Sequence, residues 1–233
     1  MTRFTRDPLY RRHRFPAEVI SHAVWLYFRF PLSLRMVEDL LAVRGVIVSH
    51  QTVRLLAEKF GRHFANDIRK RSACKLVDKW HPDEVVITIG GKKHWLWRAV
   101  DQDGFVLNVS VQSRRNSKAA KRLKAQGRSP LIMITDKLRS HGAAKREIMP
   151  SVEHRSHKGL KNRAENSHQP ARRRERIIKR FKSARQLQRF VSIHEPISNL
   201  FHIPRHDIPS AHHRELRVAV LNTWRDVARL QTA

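Results

Sequence analysis

The chain has 233 residues, enough for one large domain or two small ones, and its hydrophobic content of 40% is sufficient for a packed core. Lys and Arg number 48 against 20 Asp and Glu, and the net charge of +28 favours a polyanionic partner, because the release of counterions from phosphates drives binding. A single cysteine excludes a disulfide framework and a CxxC zinc site, and no apolar run approaches the roughly 20 residues of a membrane-spanning helix.

The net charge leaves two polyanions open as partners, nucleic acid and an anionic membrane surface. We favour nucleic acid and expect no membrane contact. The N-terminal arginines have no apolar stretch behind them of the kind that a signal peptide carries, so we expect a cytoplasmic protein. Histidines such as His154 and His157 lie among Arg and Lys, which favours a basic surface over zinc ligation.

The N-terminal quarter predicts an all-α domain behind a loose basic arm. Residues 1–15 are basic and aperiodic, whereas residues 16–62 repeat apolar positions at helical spacing. Ser33 and Ser49 are suited to begin the second and third helices, and Gly45 is suited to the end of the second. A helix, a turn after a glycine and a further helix form a helix-turn-helix arrangement.

The first residues of the last helix face DNA bases in such an arrangement. Gln suits adenine and Arg suits guanine in the major groove. A small three-helix bundle with a polar outer face is the alternative, and the net charge favours the DNA-binding interpretation. The candidate DNA-binding residues of this helix are His50, Gln51, Thr52 and Arg54.

A second domain is predicted at 80–190, after a basic and less regular linker at 63–79. The apolar period changes there from helical to two, which indicates strands. The predicted strands are Asp83–Ile89, His94–Val100, Phe105–Val111, the interior run Leu131–Thr135, and a short strand near Val152. The predicted helices are Ser117–Gln126, a segment from Lys137 to about Ile148, and a long region that carries Glu165. This order predicts an α/β fold, a mixed sheet flanked by helices.

Residues 191–233 predict a C-terminal helical extension. An apolar stripe in its last helix follows a serine cap at Ser210, and we expect the stripe to pack on the core, with a dimer contact as the alternative. The stripe consists of Leu216, Val220, Trp224 and Val227.

Three acidic residues occupy informative places in the second domain. Asp83 lies on the first strand, Asp136 directly follows the interior strand, and Glu165 lies in a helix among Arg and Lys. Alternation places Asp83 on the face of Val85 and Ile87. Oxygen ligands gathered in this way suit Mg²⁺, and two such ions can activate the attacking oxygen and stabilise the leaving one on a phosphodiester. The residues alone leave open that Asp136 caps a helix and that Glu165 forms a surface ion pair.

Five short stretches of the second domain, preceded by the helix-turn-helix, carry a family pattern. In order they are Trp80-His81-Pro82-Asp83-Glu84-Val85, the run from Trp95 to Gly104, Ser113-Arg114-Arg115-Asn116, Thr135-Asp136-Lys137 and Asn162-Arg163-Ala164-Glu165-Asn166. Together they resemble the DDE transposases of small bacterial insertion sequences. The nearest match is the single-frame family that moves by forming cointegrates, and the resemblance covers nearly the whole chain.

The resemblance implies a ribonuclease H-like core of the retroviral-integrase type. Asp83, Asp136 and Glu165 would be the catalytic and metal-binding carboxylates, with two Mg²⁺ or Mn²⁺ ions as cofactors. Arg172 would be a further catalytic residue that contacts a phosphate.

The implied reaction is cleavage at the element ends, which frees 3′-OH groups, and then attack of those groups on target DNA. The implied partners are double-stranded DNA, both terminal inverted repeats and target, and further copies of the chain in a dimer or larger assembly on the bacterial nucleoid.

A basic run from Arg155 to Arg185 contains Glu165 and Glu175 as its acidic residues. We expect it to track phosphates beside the three carboxylates, with a solvated helix face as the alternative. Together with Lys137, its candidate DNA-binding residues are Lys161, Arg163, Arg172, Arg173, Arg174 and Arg176.

The segments before Asp136 and between Asp136 and Glu165 are short for the family that the chain resembles. A second hypothesis therefore stands beside the active transposase: a decayed remnant, or a helix-turn-helix regulator, that binds DNA without catalysis. A structural nucleic-acid binder without sequence preference is the third.

Overall fold

The computed structural model describes residues 7–72, 79–101, 103–114, 132–135, 153–156, 169–177, 181–203 and 208–230. The chain divides into two compact units: unit 1 combines Met1–Ala73 with Pro196–Ala233, and unit 2 is Cys74–Glu195. The predicted helices at 117–126 and 137–148 lie outside the described residues.

The described elements follow the predicted order of helices, strands and helices. The helices are α1 (Ala17–Arg29), α2 (Leu34–Ala42), α3 (His50–Arg71), α4 (Gln169–Ile177), α5 (Ala184–Leu200) and α6 (Ser210–Val227). The strands are β1 (Lys79–Ile89), β2 (Lys92–Asp101), β3 (Val106–Gln112), β4 (Ile132–Thr135) and β5 (Glu153–Ser156). A short 3-10 helix, Pro8–Tyr10, precedes α1.

Helices α1 to α3 form the predicted helix-turn-helix arrangement in unit 1. The hydroxyl oxygen of Ser33 accepts a hydrogen bond from the backbone N–H of Met36, and that of Ser49 accepts one from Thr52, so both predicted serines cap their helices. Gly45 has a φ of 75°, a left-handed conformation in which the chain leaves α2 at little steric cost. The core between the three helices consists of Ala23, Leu26, Val37, Leu41, Val48 and Val53.

The N-terminal arm is folded against α3, so the prediction of a loose arm at 1–15 is wrong for its second half. Tyr10 is fully buried, and its ring stacks on Phe60 with 5.3 Å between the ring centroids. Its hydroxyl donates a hydrogen bond to the backbone carbonyl of Ala228. Burial raises the pKa of the Tyr10 phenol well above its ordinary value, which keeps the hydroxyl protonated as a donor. Burial of the Tyr10 ring is therefore sufficient to dock this segment on α3, although the residues around it are mostly basic.

Helix α3 runs through most of the predicted linker at 63–79, which is a second correction. Phe64, Ala65 and Ile68 are buried and continue its apolar face, while Arg69 and Lys70 lie on the solvent side. Arg69, Lys70 and Arg71 form the last turn of α3. Because three consecutive basic residues show no apolar period, the sequence did not indicate that the helix continues to this point. Cations near a helix C-terminus interact favourably with its dipole.

The C-terminal helix α6 belongs to unit 1 and packs on α3. The ring of Trp224 meets Phe64 at 5.3 Å and Phe201 at 5.8 Å between centroids. Of the predicted apolar stripe, Trp224 and Val227 are buried, whereas Leu216 and Val220 are only half-buried. The N-terminal and C-terminal segments therefore belong to one unit, whereas the sequence had predicted a separate C-terminal extension from residue 191.

The sheet of unit 2 has the strand order β3-β2-β1-β4-β5. The pairs β1–β2 and β2–β3 are antiparallel, and the pairs β1–β4 and β4–β5 are parallel. This order and these directions are those of the ribonuclease H-like fold, so the predicted fold class is confirmed. Strand β4 pairs on both sides, as predicted for an interior strand.

Two turns hold the three antiparallel strands. Gly90 and Gly91 have φ of 56° and 77°, and positive φ at both central residues is what a two-residue hairpin turn requires. The carboxylate of Asp101 accepts hydrogen bonds from the backbone N–H groups of Asp103 and Phe105 and thereby shapes the next turn. Burial raises the pKa of Asp101, and these backbone bonds oppose the rise.

Helix α5 covers the edge of the sheet at β3. The side-chain oxygen of Gln188 accepts a hydrogen bond from the N–H of Val111 at 2.7 Å, and its side-chain nitrogen donates to the carbonyl of Val109 at 3.3 Å. The amide thus replaces a neighbouring strand at an edge that would otherwise offer free pairing groups. Within the described residues, no helix is both long and apolar enough to cross a bilayer.

The docking of the arm generates a stability prediction. We expect Tyr10→Phe to lower the free energy of unfolding by about 1–3 kcal/mol, because the buried carbonyl of Ala228 loses its donor while the ring contacts remain. Urea unfolding followed by tryptophan fluorescence measures the change. An unaltered unfolding midpoint would show that ring packing alone holds the arm.

Candidate active site and nucleic-acid interface

The backbone of β1 places Asp83 in the middle of the sheet. Asp83 pairs directly with Arg98 of β2. On the other side of β1, Lys79 pairs with Ile132 and Trp80 with Met133 of β4. The predicted alternation along β1 is confirmed in its described part, since Val85 and Ile87 are buried and share one face.

The other predicted carboxylates fall where the structure gives no description. Asp136 directly follows β4, and Glu165 precedes α4; both lie outside the described residues, as do Lys137, Lys161 and Arg163. Arg172 is the fourth residue of α4. Among the described residues, no group of three or more His, Cys, Asp or Glu side chains is placed to hold a metal ion.

A buried ion pair joins β2 to α5 beside the position of Asp83. A guanidinium nitrogen of Arg98 lies 3.2 Å from a carboxylate oxygen of Glu195, and both side chains are at most 5% exposed. The second carboxylate oxygen of Glu195 lies 3.7 Å from the imidazole of His194. Burial alone would raise the pKa of Glu195, but Arg98 and His194 outweigh it and hold the pKa below its ordinary value. The carboxylate therefore stays ionised opposite its arginine.

Arg174 is buried in unit 2 and does not contact solvent, which corrects its prediction as a DNA-binding residue. It is 2% exposed, and its guanidinium lies 5.4 Å from the ring centroid of Phe190. The ring of Phe190 stacks in turn on His194 at 5.2 Å. The reason is helical geometry: successive residues of α4 point about 100° apart, so a cluster of arginines cannot all face outward.

The neighbours of Arg174 in α4 keep the predicted solvent-facing character. Arg173 and Arg176 are exposed, and Glu175 is half-buried. These two arginines remain candidates for contact with phosphates. Neither the inward arginine nor its pairing with an aromatic ring had a sequence signal, since four arginines in five residues look alike.

The N-terminal end of α3 separates its four predicted DNA-binding residues into two kinds. Gln51 and Arg54 are exposed, and their side chains have no hydrogen bond or ion pair with any described residue. The imidazole of His50 lies 3.5 Å from Glu38, and the hydroxyl of Thr52 lies 3.1 Å from that of Ser49 in the helix cap. Gln51 and Arg54 are therefore the side chains that can turn to a base edge without breaking a bond in the protein.

Comparison with known proteins decides the family. Residues 77–203, more than half of the chain, match the family model of a DDE domain of the IS240 transposase type. The transposase for insertion sequence-like element IS431mec from Staphylococcus aureus strain Mu50 is 32% identical over 168 residues, which cover 68% of this chain and 75% of that relative. The chain belongs to the DDE transposase family. The transposase for insertion sequence element IS257 in transposon Tn4003 of Staphylococcus aureus is equally similar, with the same identity and coverage.

The DDE transposases are polynucleotidyl transferases that act on DNA, so the chain belongs to a family of DNA-transferring enzymes. Catalysis in this family depends on metal ions. The predicted family, fold class and general function are thus confirmed. The particular residues that carry the reaction stay predictions.

Solved structures give more distant similarities. A simian T-cell lymphotropic virus intasome in complex with PP2A regulatory subunit B56 gamma is 17% identical with a TM-score of 0.40, covering 81% of this chain and 76% of that one. The HTLV-2 integrase catalytic core domain in complex with magnesium is 18% identical with a TM-score of 0.32, covering 68% and 90%. The fold of the transposase core is supported by its own strand order.

The buried ion pair generates a prediction for this transposase. We expect Glu195→Ala to lower the free energy of unfolding by about 3–5 kcal/mol, because it leaves the buried guanidinium of Arg98 without its counter-charge. The double variant Arg98→Met with Glu195→Leu should recover most of the loss, since it removes both charges together. Guanidinium chloride unfolding measures all three proteins. Equal losses in the single and double variants would contradict a role for the pair itself.

Proposed function

We propose that the transposase cuts the DNA at the ends of its insertion sequence and joins the freed 3′-OH groups to target DNA, with Asp83, Asp136 and Glu165 as the catalytic carboxylates. The observation that carries the proposal is the register between β1 and β4. Paired residues of these strands differ by 53 in number, as 132 differs from 79. Asp136 and Asp83 also differ by 53.

A continued register would set Asp136 directly beside Asp83. Neighbouring residues in register on parallel strands occupy the same face of a sheet, at a strand spacing of about 4.8 Å. Two carboxylates at this spacing offer the hard oxygen ligands that Mg²⁺ and Mn²⁺ prefer. The donor set therefore fits a divalent ion, and we propose that the family's third carboxylate, Glu165, completes a site for two ions.

The ions, when bound, would neutralise the phosphodiester and lower the energy of its in-line displacement. The carboxylates would hold and orient them on the rigid sheet. We place Arg172 against a phosphate oxygen, since a guanidinium binds phosphate through paired N–H donors. The exposed Arg173 and Arg176 would track the backbone on either side.

Two displacements at phosphorus would give the products. In the first, a water oxygen bonds to phosphorus, the bond to the 3′-oxygen of the element breaks, and that oxygen leaves with a proton as the 3′-OH. In the second, this 3′-oxygen bonds to a phosphorus of target DNA, and the 3′-oxygen of the target leaves. No covalent bond between protein and DNA forms at any stage.

Helix α3 would supply the recognition of the element ends. Gln51 and Arg54 are exposed in its first two turns, where residues of a recognition helix meet base edges in the major groove. Both ends must be held together for transposition, so we propose a dimer or larger assembly on the DNA of the bacterial nucleoid. A regulator that binds without catalysis would share this helix and differ in its chemistry.

The carboxylate assignment predicts a separation of catalysis from binding. Asp83→Asn, Asp136→Asn and Glu165→Gln should each lower strand transfer by at least about a thousandfold and leave DNA affinity within about twofold, because each removes a charge needed in the transition state. Labelled element ends with Mg²⁺ or Mn²⁺ measure both cleavage and joining. Chelation with EDTA should abolish both and preserve the retarded protein–DNA band.

Matched acidic neighbours provide the controls for this set. Glu84→Gln lies beside Asp83, and Glu175→Gln is the other acidic residue of the basic run. Both variants should retain activity. Full activity in Asp83→Asn, Asp136→Asn or Glu165→Gln would remove that residue from the site, and a wild-type protein that binds but never cuts would favour the regulator.

The recognition helix predicts a loss of sequence preference. Arg54→Ala and Gln51→Ala should each cost about 1–3 kcal/mol in affinity for the element end and relax the preference at one base position. Competition between the repeat duplex and a scrambled duplex measures the preference. Arg35→Ala, at the second residue of α2, is the control, and an equal effect there would argue against base reading by α3.

A further inference from the structure

The folded half of the N-terminal arm presents a cluster of arginines on the surface of unit 1. Arg11, Arg12 and Arg14 are exposed, and residues 8–15 contain no acidic residue. The segment is held from both sides of the cluster: Tyr10 is buried on Phe60, and the imidazole of His13 lies 2.8 Å from the ammonium of Lys59 on α3. The arginines therefore sit on a fixed platform.

The backbone at Arg12 is unfavourable for an arginine. Its φ is 62°, a left-handed conformation that is unfavourable for an L-residue with a side chain and that glycine adopts without steric cost. Arg229 has the same conformation, with a φ of 49°, but its guanidinium lies 3.5 Å from the carboxylate of Asp7. Arg12 has no hydrogen bond or ion pair with any described residue. Its side chain thus contributes nothing within the described protein that offsets the cost of its backbone.

The arginine cluster continues onto an exposed face of α3 that begins at the N-terminal end of this helix. Arg54, Lys59 and Arg62 are exposed along this helix, and Glu58 is the single acidic residue between 50 and 62. Eight residues separate Gln51 from Lys59, which is about 12 Å along a helix. A surface of this length can extend from the bases that Gln51 is proposed to read to the neighbouring phosphates of the DNA backbone.

We propose that Arg11, Arg12 and Arg14 form a second DNA contact, a phosphate clamp on the duplex next to the bases read by α3. This phosphate clamp rests on the proposed DNA recognition by unit 1 and adds to it a sequence-independent contact. It binds backbone phosphates and no base edge, because guanidinium groups on a short rigid turn match phosphate oxygens and carry no sequence information. The clamp raises affinity and fixes the register of the helix-turn-helix on its site.

Removal of Arg12 tests the clamp, because it should change stability and binding in opposite directions. In the full chain, Arg12→Gly should leave the melting temperature unchanged or raise it by up to about 4 °C, since glycine relieves the backbone. The same variant should bind several-fold more weakly to the repeat duplex and to a scrambled duplex alike. The slope of log affinity against log salt should fall in magnitude by about 0.9 for the phosphate contact that is lost.

Two further variants strengthen the test. Arg12→Asn also removes the charge and tolerates the left-handed backbone, so it should lose as much binding as Arg12→Gly. Wild-type binding in Arg12→Asn would show that the loss in Arg12→Gly came from a disturbed turn, and it would overturn the clamp. Arg11→Ala combined with Arg12→Gly should lower the slope by about 1.8. Arg229→Gly makes the same substitution at the same backbone conformation, but at an arginine paired to Asp7, and should leave the slope unchanged.

The readouts separate the clamp from base recognition. Fluorescence anisotropy on both duplexes between about 50 and 200 mM salt gives affinity, slope and preference together. Wild-type affinity and slope in Arg12→Gly, on both duplexes, would overturn the clamp whatever α3 does. A wild-type protein without preference for the repeat duplex would overturn base reading, while the slope on the scrambled duplex would still decide the clamp.

Discussion

The buried pair of Arg98 and Glu195 is the interaction on which the catalytic unit depends. It fixes α5 against β2, and the amide of Gln188, seven residues earlier, fixes the same helix to β3. Seven residues are about two turns, so both anchors lie on one face of α5. A helix held at two polar points cannot slide over the sheet as a purely apolar contact can, because any shift would leave a buried charge unpaired. The strand pairing carries this rigidity across the sheet, since Arg98 is the direct partner of Asp83.

The excess of positive charge is divided between two uses. Arg98 and Arg174 are buried, one opposite a carboxylate and one over an aromatic ring, and they hold the core of unit 2 together. Arg12, Arg54 and Arg173 are exposed, and an excess of like charge of this kind opposes the compact state of each unit in the free protein. A polyanion relieves that repulsion, so the features that burden the isolated fold favour the complex with DNA. Arginine suits both uses because its guanidinium stays charged when buried and binds phosphate in a fixed geometry.

The sequence was sufficient for the parts of the fold that follow from local patterns. The caps at Ser33 and Ser49, the glycine turns and the alternation of β1 are local, and all were predicted at the correct places. The predicted cap at Ser210 is wrong, because Pro209 precedes α6 as its N-cap and makes no side-chain cap hydrogen bond, and Ser210 is the first residue of the helix. The docked arm and the joining of both chain ends in unit 1 were missed, because they depend on contacts such as Tyr10 with Ala228 that no local pattern contains. The full length of α3 was missed because basic residues in its last turn obscured its apolar period. The catalytic carboxylates came from a family resemblance, whereas the pair of Arg98 and Glu195, 97 residues apart, had no sequence signal.

The proposed active site depends on the register between β1 and β4, because that register decides whether Asp83 and Asp136 lie side by side. A slip of one residue between β1 and β4 would send Asp83 and Asp136 to opposite faces of the sheet. Only two pairs between those strands are described, yet the sheet constrains them from both sides: ten residue pairs join β1 to β2, and four join β4 to β5. The turn at Gly90 and Gly91 sets the first ladder, and the Arg98 pair fixes it to α5. We therefore expect these paired strands to supply the precision that the proposed two-metal reaction requires.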